Sequence, residues 1–180
     1  MVREVQQVEI LKELDRVETA GKLPEFKLLK YLAENSSTLD NAPHIRVKVW
    51  TMLGGRRIIV PNSTHAHRTK NGLAYNGRLG TFDLLEGALR VAIVKRWPKL
   101  ENGLKEFSTP SYAVHAIGDE SSHVVRVIAK VKNHRTCGGV VCKGVDTFQT
   151  TLRAMCLIYH WVLWRLLRRE KGCNRRRKAT

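Results

Sequence analysis

The side chains of this sequence are best supplied for one kind of chemistry, the neutralisation of phosphate. From Asn41 to Phe82 there is no Asp or Glu, while Arg46, Lys48, Arg56, Arg57, Arg68, Lys70 and Arg78 are all present. The pattern recurs from Ser121 to Val145 with Arg126, Lys130, Lys132, Arg135 and Lys143. A third run closes the sequence, where Arg165, Arg168, Arg169, Lys171, Arg175, Arg176, Arg177 and Lys178 face a single Glu170. One short charged run is an ordinary solvated surface. Three runs with at most one acid each, in 180 residues of formal net charge +16, point instead to a polyanionic partner, with nucleic acid ahead of an anionic membrane surface.

Other reactive side chains are present in patterns that do little. Cys137, Cys142, Cys156 and Cys173 have spacings that match no zinc finger or ribbon, and they read as reduced thiols of an intracellular compartment. His134 with Cys137 and Cys142, or His65 with His67, would make an irregular metal site at best, and a loop that happens to hold them is the simpler reading. Asp83 and Asp146 stand at predicted helix starts, where capping accounts for both. No nucleophile has an evident partner, and no glycine loop with a lysine is there to cradle phosphates. The expectation is a protein that is not an enzyme and uses no metal or cofactor.

These charges need elements to carry them. Ile45, Val47 and Val49 alternate with Arg46, Lys48 and Trp50, which predicts a half-buried strand with one basic face. Gly54-Gly55 turns the chain and Arg57 to Val60 returns it. Before this hairpin, Glu25 to Leu32 reads as a loosely alternating strand and residues 35–43 as a polar turn. After it, residues 61–76 read as a long polar loop, and Leu85, Ala88, Leu89, Ala92 and Ile93 mark one face of a helix over 81–96 that Trp97-Pro98 ends. A second set follows in the same order. It has an interrupted strand over 107–117, a long strand over 123–132 with Val125, Val127, Ala129 and Val131 opposite Arg126, Lys130 and Lys132, a short return over 140–143, and a helix over 147–169.

Both long helices open on Thr-Phe, at Thr81-Phe82 and Thr147-Phe148, and Ala88-Leu89 and Ala154-Met155 stand equally far beyond those starts. The expected fold is therefore α+β, with two pseudo-symmetric βββα units whose antiparallel hairpins pack on two long helices. The predicted layout is an amphipathic N-terminal helix over residues 1–20, a double domain over 21–164 with units 26–97 and 104–163, and a basic tail over 165–180. In the first segment Val2, Val5, Val8, Leu11, Leu14 and Val17 recur at helical spacing with Glu4, Glu9, Glu13 and Asp15 opposite, which is unlike an acid-poor transit peptide or a secretory signal. The apolar stretch Met155 to Trp164 is too short to span a bilayer, so no membrane span is expected. Tyr159, Trp161, Leu163 and Trp164 belong either to the core or to a homodimer surface.

Gly80-Thr81-Phe82-Asp83 followed by Ala88-Leu89 resembles a helix start in the C-terminal regulatory (dimerisation) domain of isopropylmalate and citramalate synthases. The second unit continues the likeness through Val124 to Val131, Gly139 to Val145, and Asp146 leading to Ala154-Met155. The resemblance covers residues 26–163. It implies a pair of βββα units that dimerises and binds an end-product amino acid, without the catalytic barrel of the full synthases. Arg78, Thr81, Thr150 and Thr151 stand where that family has glycine, proline and small residues near its effector, and the added cations have no use in an amino-acid sensor. The resulting expectation is a structural, RNA-binding component of a large ribonucleoprotein that touches RNA (rRNA) and neighbouring proteins, with the mitochondrion favoured over cytoplasm or plastid. A free-standing amino-acid-sensing module of a branched-chain synthase pathway is the alternative.

Overall fold

The computed structural model describes residues 6–38, 41–65, 67–69, 72–74, 80–107, 111–117, 124–133 and 136–177. In chain order the elements are β1 (Gln6–Glu9), α1 (Ile10–Thr19), β2 (Phe26–Thr38), β3 (Asn41–Leu53), β4 (Arg56–His65), β5 (His67–Thr69), β6 (Gly72–Ala74), α2 (Thr81–Arg96), a 3-10 turn (Pro98–Leu100), α3 (Glu101–Lys105), β7 (Ser111–Ile117), β8 (Val124–Lys132), β9 (Thr136–Gly144) and α4 (Thr147–Arg177). The fold is α+β, and a run of three antiparallel strands leads to each long helix, β2–β4 to α2 with the short β5–β6 pair between them, and β7–β9 to α4. Two compact units result. Residues 25–99 form one, and residues 1–24 with 100–180 form the other.

In the unit of residues 25–99, β2, β3 and β4 make an antiparallel sheet with β3 at its centre. Strict alternation in β3 sends Val47, Val49, Thr51 and Leu53 inward, where they are buried with Phe26 of β2 and Val60 of β4. The facing side of α2 buries Leu84, Leu85, Ala88, Leu89, Ala92 and Ile93, each worth about 1.5–3 kcal/mol if fully desolvated, alanines less. Asp83 accepts from the Gly80 amide at 3.0 Å and closes the first turn of α2. The β3–β4 turn uses Gly54 and Gly55 at φ +52 and +75, the left-handed pair a two-residue hairpin needs. Arg96 locks that turn by donating to the carbonyls of Leu53 and Gly54, both at 3.1 Å.

In the other unit the sheet order is β1-β9-β8-β7, with β1 parallel to β9 and the remaining pairs antiparallel. α4 packs across β8 and β9 with α1 beside it. Ile10, Leu14 and Val17 of α1, Leu104 of α3, Phe107, Val131 and Val140 close around Met155, Ile158, Tyr159, Trp161 and Leu163 of α4, all buried. Gly138 is required here, because a Cβ would stand 2.9 Å from Ile10 and 3.0 Å from Trp161. Asp146 accepts from the Gln149 amide at 2.7 Å and starts α4 as capping chemistry predicts.

Four local expectations change. Gln6–Glu9 form β1 rather than the start of a helix, because the open edge of β9 offers backbone partners that an isolated first turn lacks. β2 and β3 run on into the expected turn over 35–43, and the register slips between Ser36 and Thr38, near Pro43, which has no amide to donate. The expected loop over 61–76 holds the end of β4 and the β5–β6 pair instead. α4 continues to Arg177 instead of ending at Arg169, with basic residues in its last turns that suit the negative end of the helix dipole.

Candidate nucleic-acid interface

The side of the β2-β3-β4 sheet away from α2 is where the basic residues gather. Register sets Lys27, Met52 and Arg57 in one row, then Lys30, Trp50 and Ile59, then Leu32, Lys48 and Pro61, then Glu34 and Arg46 with position 63. Five cations thus share a face with one carboxylate. Lys30 and Lys48 both lie over the Trp50 ring, at 5.4 and 5.0 Å from its centroid. Leu32 and Ile59 flank it at 40% and 42% exposure, unusual for large aliphatics. Lys27 also lies 3.7 Å from Glu25 at the sheet end.

Such a face has two capacities. Its cations can neutralise a phosphate chain, and its partly exposed indole between aliphatic side chains offers a flat surface on which an unpaired base can stack once the lysines over it swing aside. Double-helical nucleic acid would use only the first.

The sequence anticipated Arg46, Lys48 and Arg57 on this face, and all three are there. Arg56 is exposed beside the Gly54-Gly55 turn. Lys27 and Lys30 were not anticipated. A register shift between Leu28 and Lys30 bulges Leu29 out and turns Lys30 and Leu32 to the outer side, whereas plain alternation from buried Phe26 would have put them inward.

In the other unit, Lys132 and Lys143 are exposed. Lys143 stands directly across from Arg126, which in turn pairs with His115 of β7, so three basic positions share one rung of the sheet. Lys130 pairs with Gly139. Arg68 falls within β5, and Lys70, Arg78, Arg135 and Lys178 lie outside the described residues.

The arginines of α4 divide by use. Arg165 is 3.5 Å from Glu13 and 5.0 Å from the Trp161 ring centroid, and burial pulls its pKa below the usual arginine range against the opposing charge of Glu13. Arg169 pairs with Glu106 at 3.1 Å. Arg165 is thereby engaged within its unit, whereas the Arg169–Glu106 pair is exposed to solvent. Arg168 and Lys171 are exposed, and α4 carries Arg175, Arg176 and Arg177 at its end. Tyr159, Trp161, Leu163 and Trp164, offered by the sequence as core or dimer surface, are buried.

The thiols are poorly placed for nucleophilic work. Burial pushes Cys156 up to about 12, and it also raises Cys142 against the nearby charge of Arg153. Among the described residues no group of three His, Cys, Asp or Glu could hold a metal ion. None of the described helices is long and apolar enough to cross a membrane.

No family model matches the sequence, and no curated protein matches it. Among solved structures, it is similar to a solution structure of both dsRBDs of DRB4 with their linker, at 12% identity and a TM-score of 0.24, covering 84% of this chain and 95% of the other. At that score the likeness carries no weight for fold or function.

Proposed function

We propose that this protein binds RNA and is a non-catalytic structural component of a large ribonucleoprotein, with an organellar (mitochondrial) ribosome as its setting and rRNA as its ligand. The observation that carries the reading is the outer sheet face, where Lys30 and Lys48 flank Trp50 and Lys27, Arg46 and Arg57 surround them. The register that sets Arg126 and Lys143 directly across from each other supports it, since it places two basic positions side by side on the sheet.

Fluorescence anisotropy with a single-stranded RNA and with a duplex of the same length, across a series of salt concentrations, tests the binding. Affinity for the single strand that falls steeply with salt is the expected result. Negligible affinity, or affinity indifferent to salt, overturns the reading. Sedimentation of the tagged protein with large particles from the native cell, followed by cross-linking to its neighbours, tests the setting.

The repeated run of three antiparallel strands leading to a long helix favours a second reading, a free-standing amino-acid-sensing module related to synthase regulatory domains. It requires that leucine, isoleucine or a related metabolite raise the melting temperature by mass action. No shift with any of them removes it.

A further inference from the structure

A groove of about 990 Å³ runs along α4 in the unit that holds both chain ends. One wall is the last turn of α1 and the loop after it, with Arg16, Val17, Lys22, Leu23 and Pro24, and the other is Trp164, Leu167, Arg168 and Lys171 of α4. The loop is held in place. Gly21 takes φ +63 and donates to Glu18 O at 2.8 Å, Lys22 donates to Val17 O at 3.1 Å, and His160 Nε2 donates to Pro24 O at 2.7 Å. Val17, Leu23, Pro24, Trp164 and Leu167 give the groove an apolar floor. Arg16, Lys22, Arg168 and Lys171 rim it, all exposed, and no Asp or Glu is among its lining residues.

We infer that this groove seats an acidic amphipathic segment of a partner protein, its apolar side chains on the floor and its carboxylates against the four rim cations. Charge complementarity selects an acidic occupant. The apolar floor selects a peptide over RNA, since a sugar–phosphate chain gains nothing from Val17, Leu23 or Leu167, and Trp164 is buried, so it leaves little ring face for a base. The groove lies in a different unit from the Trp50 face, so protein docking and RNA binding can be lost separately.

The test uses the full chain and a fluorescein-labelled synthetic helix with leucines at i, i+3, i+4 and i+7 and glutamates elsewhere, against a scrambled peptide of the same composition. The expected result is saturable binding of the amphipathic peptide at least about tenfold tighter than the scrambled one. A loss of about tenfold is expected in Lys22→Glu/Lys171→Glu and again in Leu167→Ser. Trp50→Ala should leave it intact. The side chains of both lysines are exposed, and the bond of Lys22 to Val17 O is made by its backbone, which the substitution keeps, so melting temperature should hardly change in the charge-reversal variant, which separates lost docking from lost folding. Absence of saturable binding, equal binding of the scrambled peptide, indifference to Lys22→Glu/Lys171→Glu, or displacement of the peptide by single-stranded RNA overturns the inference, the last in favour of nucleic acid.

Discussion

Trp50 shows how much one residue can contribute without belonging to the core. Its neighbours Val49 and Thr51 are buried completely, while its own ring points outward under Lys30 and Lys48. Replacing it with alanine therefore removes a stacking surface and leaves the packing of α2 on the sheet intact. Trp50→Ala should cost about 1–3 kcal/mol of single-stranded RNA affinity by anisotropy, with Trp50→Phe keeping most of it. Duplex affinity should change little in either variant. His160 is a residue of the opposite kind, spent on the fold. Burial lowers its pKa from 6.5, against the Pro24 carbonyl and Glu18, which both favour the charged ring. The unfolded chain thus takes up the proton first as pH falls, so the contribution of His160 is fully present above about pH 6.5 and declines from there down to the lowered folded pKa. Thermal melts from neutral pH down to about pH 5 should show this decline in the wild type, and a shallower one in His160→Gln, which can still donate to Pro24 O.

At the scale of elements, α1 is held to α4 by more than apolar contact. Glu13 accepts from Trp161 Nε1 at 2.6 Å and faces Arg165 at 3.5 Å in a part-buried setting. Glu13→Ala strands an indole N–H and a guanidinium together, and should cost about 2–3 kcal/mol in urea denaturation. Trp161→Phe leaves the ion pair, so only the hydrogen bond and some packing are lost and the cost should be smaller. Much of this architecture was legible in the sequence. Alternation placed the Val47–Val49 strand, glycine pairing placed its turn, and the Leu85–Ile93 spacing placed the buried face of α2, because in each case local pattern and tertiary environment agree. What the pattern could not convey was partner choice. Val8 fits a helical stripe as well as a strand, and only the free edge of β9 decides between them. The bulge at Leu29 inverts the alternation of β2 without any signature in residue type, and it is this inversion that brings Lys30 to Trp50. The groove along α4 was equally hidden, since Arg16 and Lys22 meet Arg168 and Lys171 only through the fold.

At the scale of the whole molecule, the charge has to be read with the fold that presents it. Residues 25–99 form one unit and residues 1–24 with 100–180 the other, and each unit carries its own core and its own basic rows. Of the 32 lysines and arginines, some are already engaged, such as Arg96 on the β3–β4 turn, Arg165 at Glu13 and Arg169 at Glu106, so a count of basic residues overstates the charge offered to a ligand. The outer face of β2-β3-β4 offers five cations. A single strand releases about 0.7 counterions for each phosphate neutralised, so this face by itself gives a slope no steeper than about −3.5 in a plot of log affinity against log salt, and shallower for each cation already engaged, as Lys27 is with Glu25. Removing Lys30 and Lys48 together should reduce the magnitude of the measured slope by about 1.4 and leave the melting temperature unchanged, because both side chains lie on the outer side of the sheet. Anisotropy titrations of wild type and Lys30→Ala/Lys48→Ala over the same salt series measure the difference directly. An unchanged slope would mean that RNA is gripped elsewhere on the molecule, with the β8–β9 rung of Arg126 and Lys143 as the next face to vary.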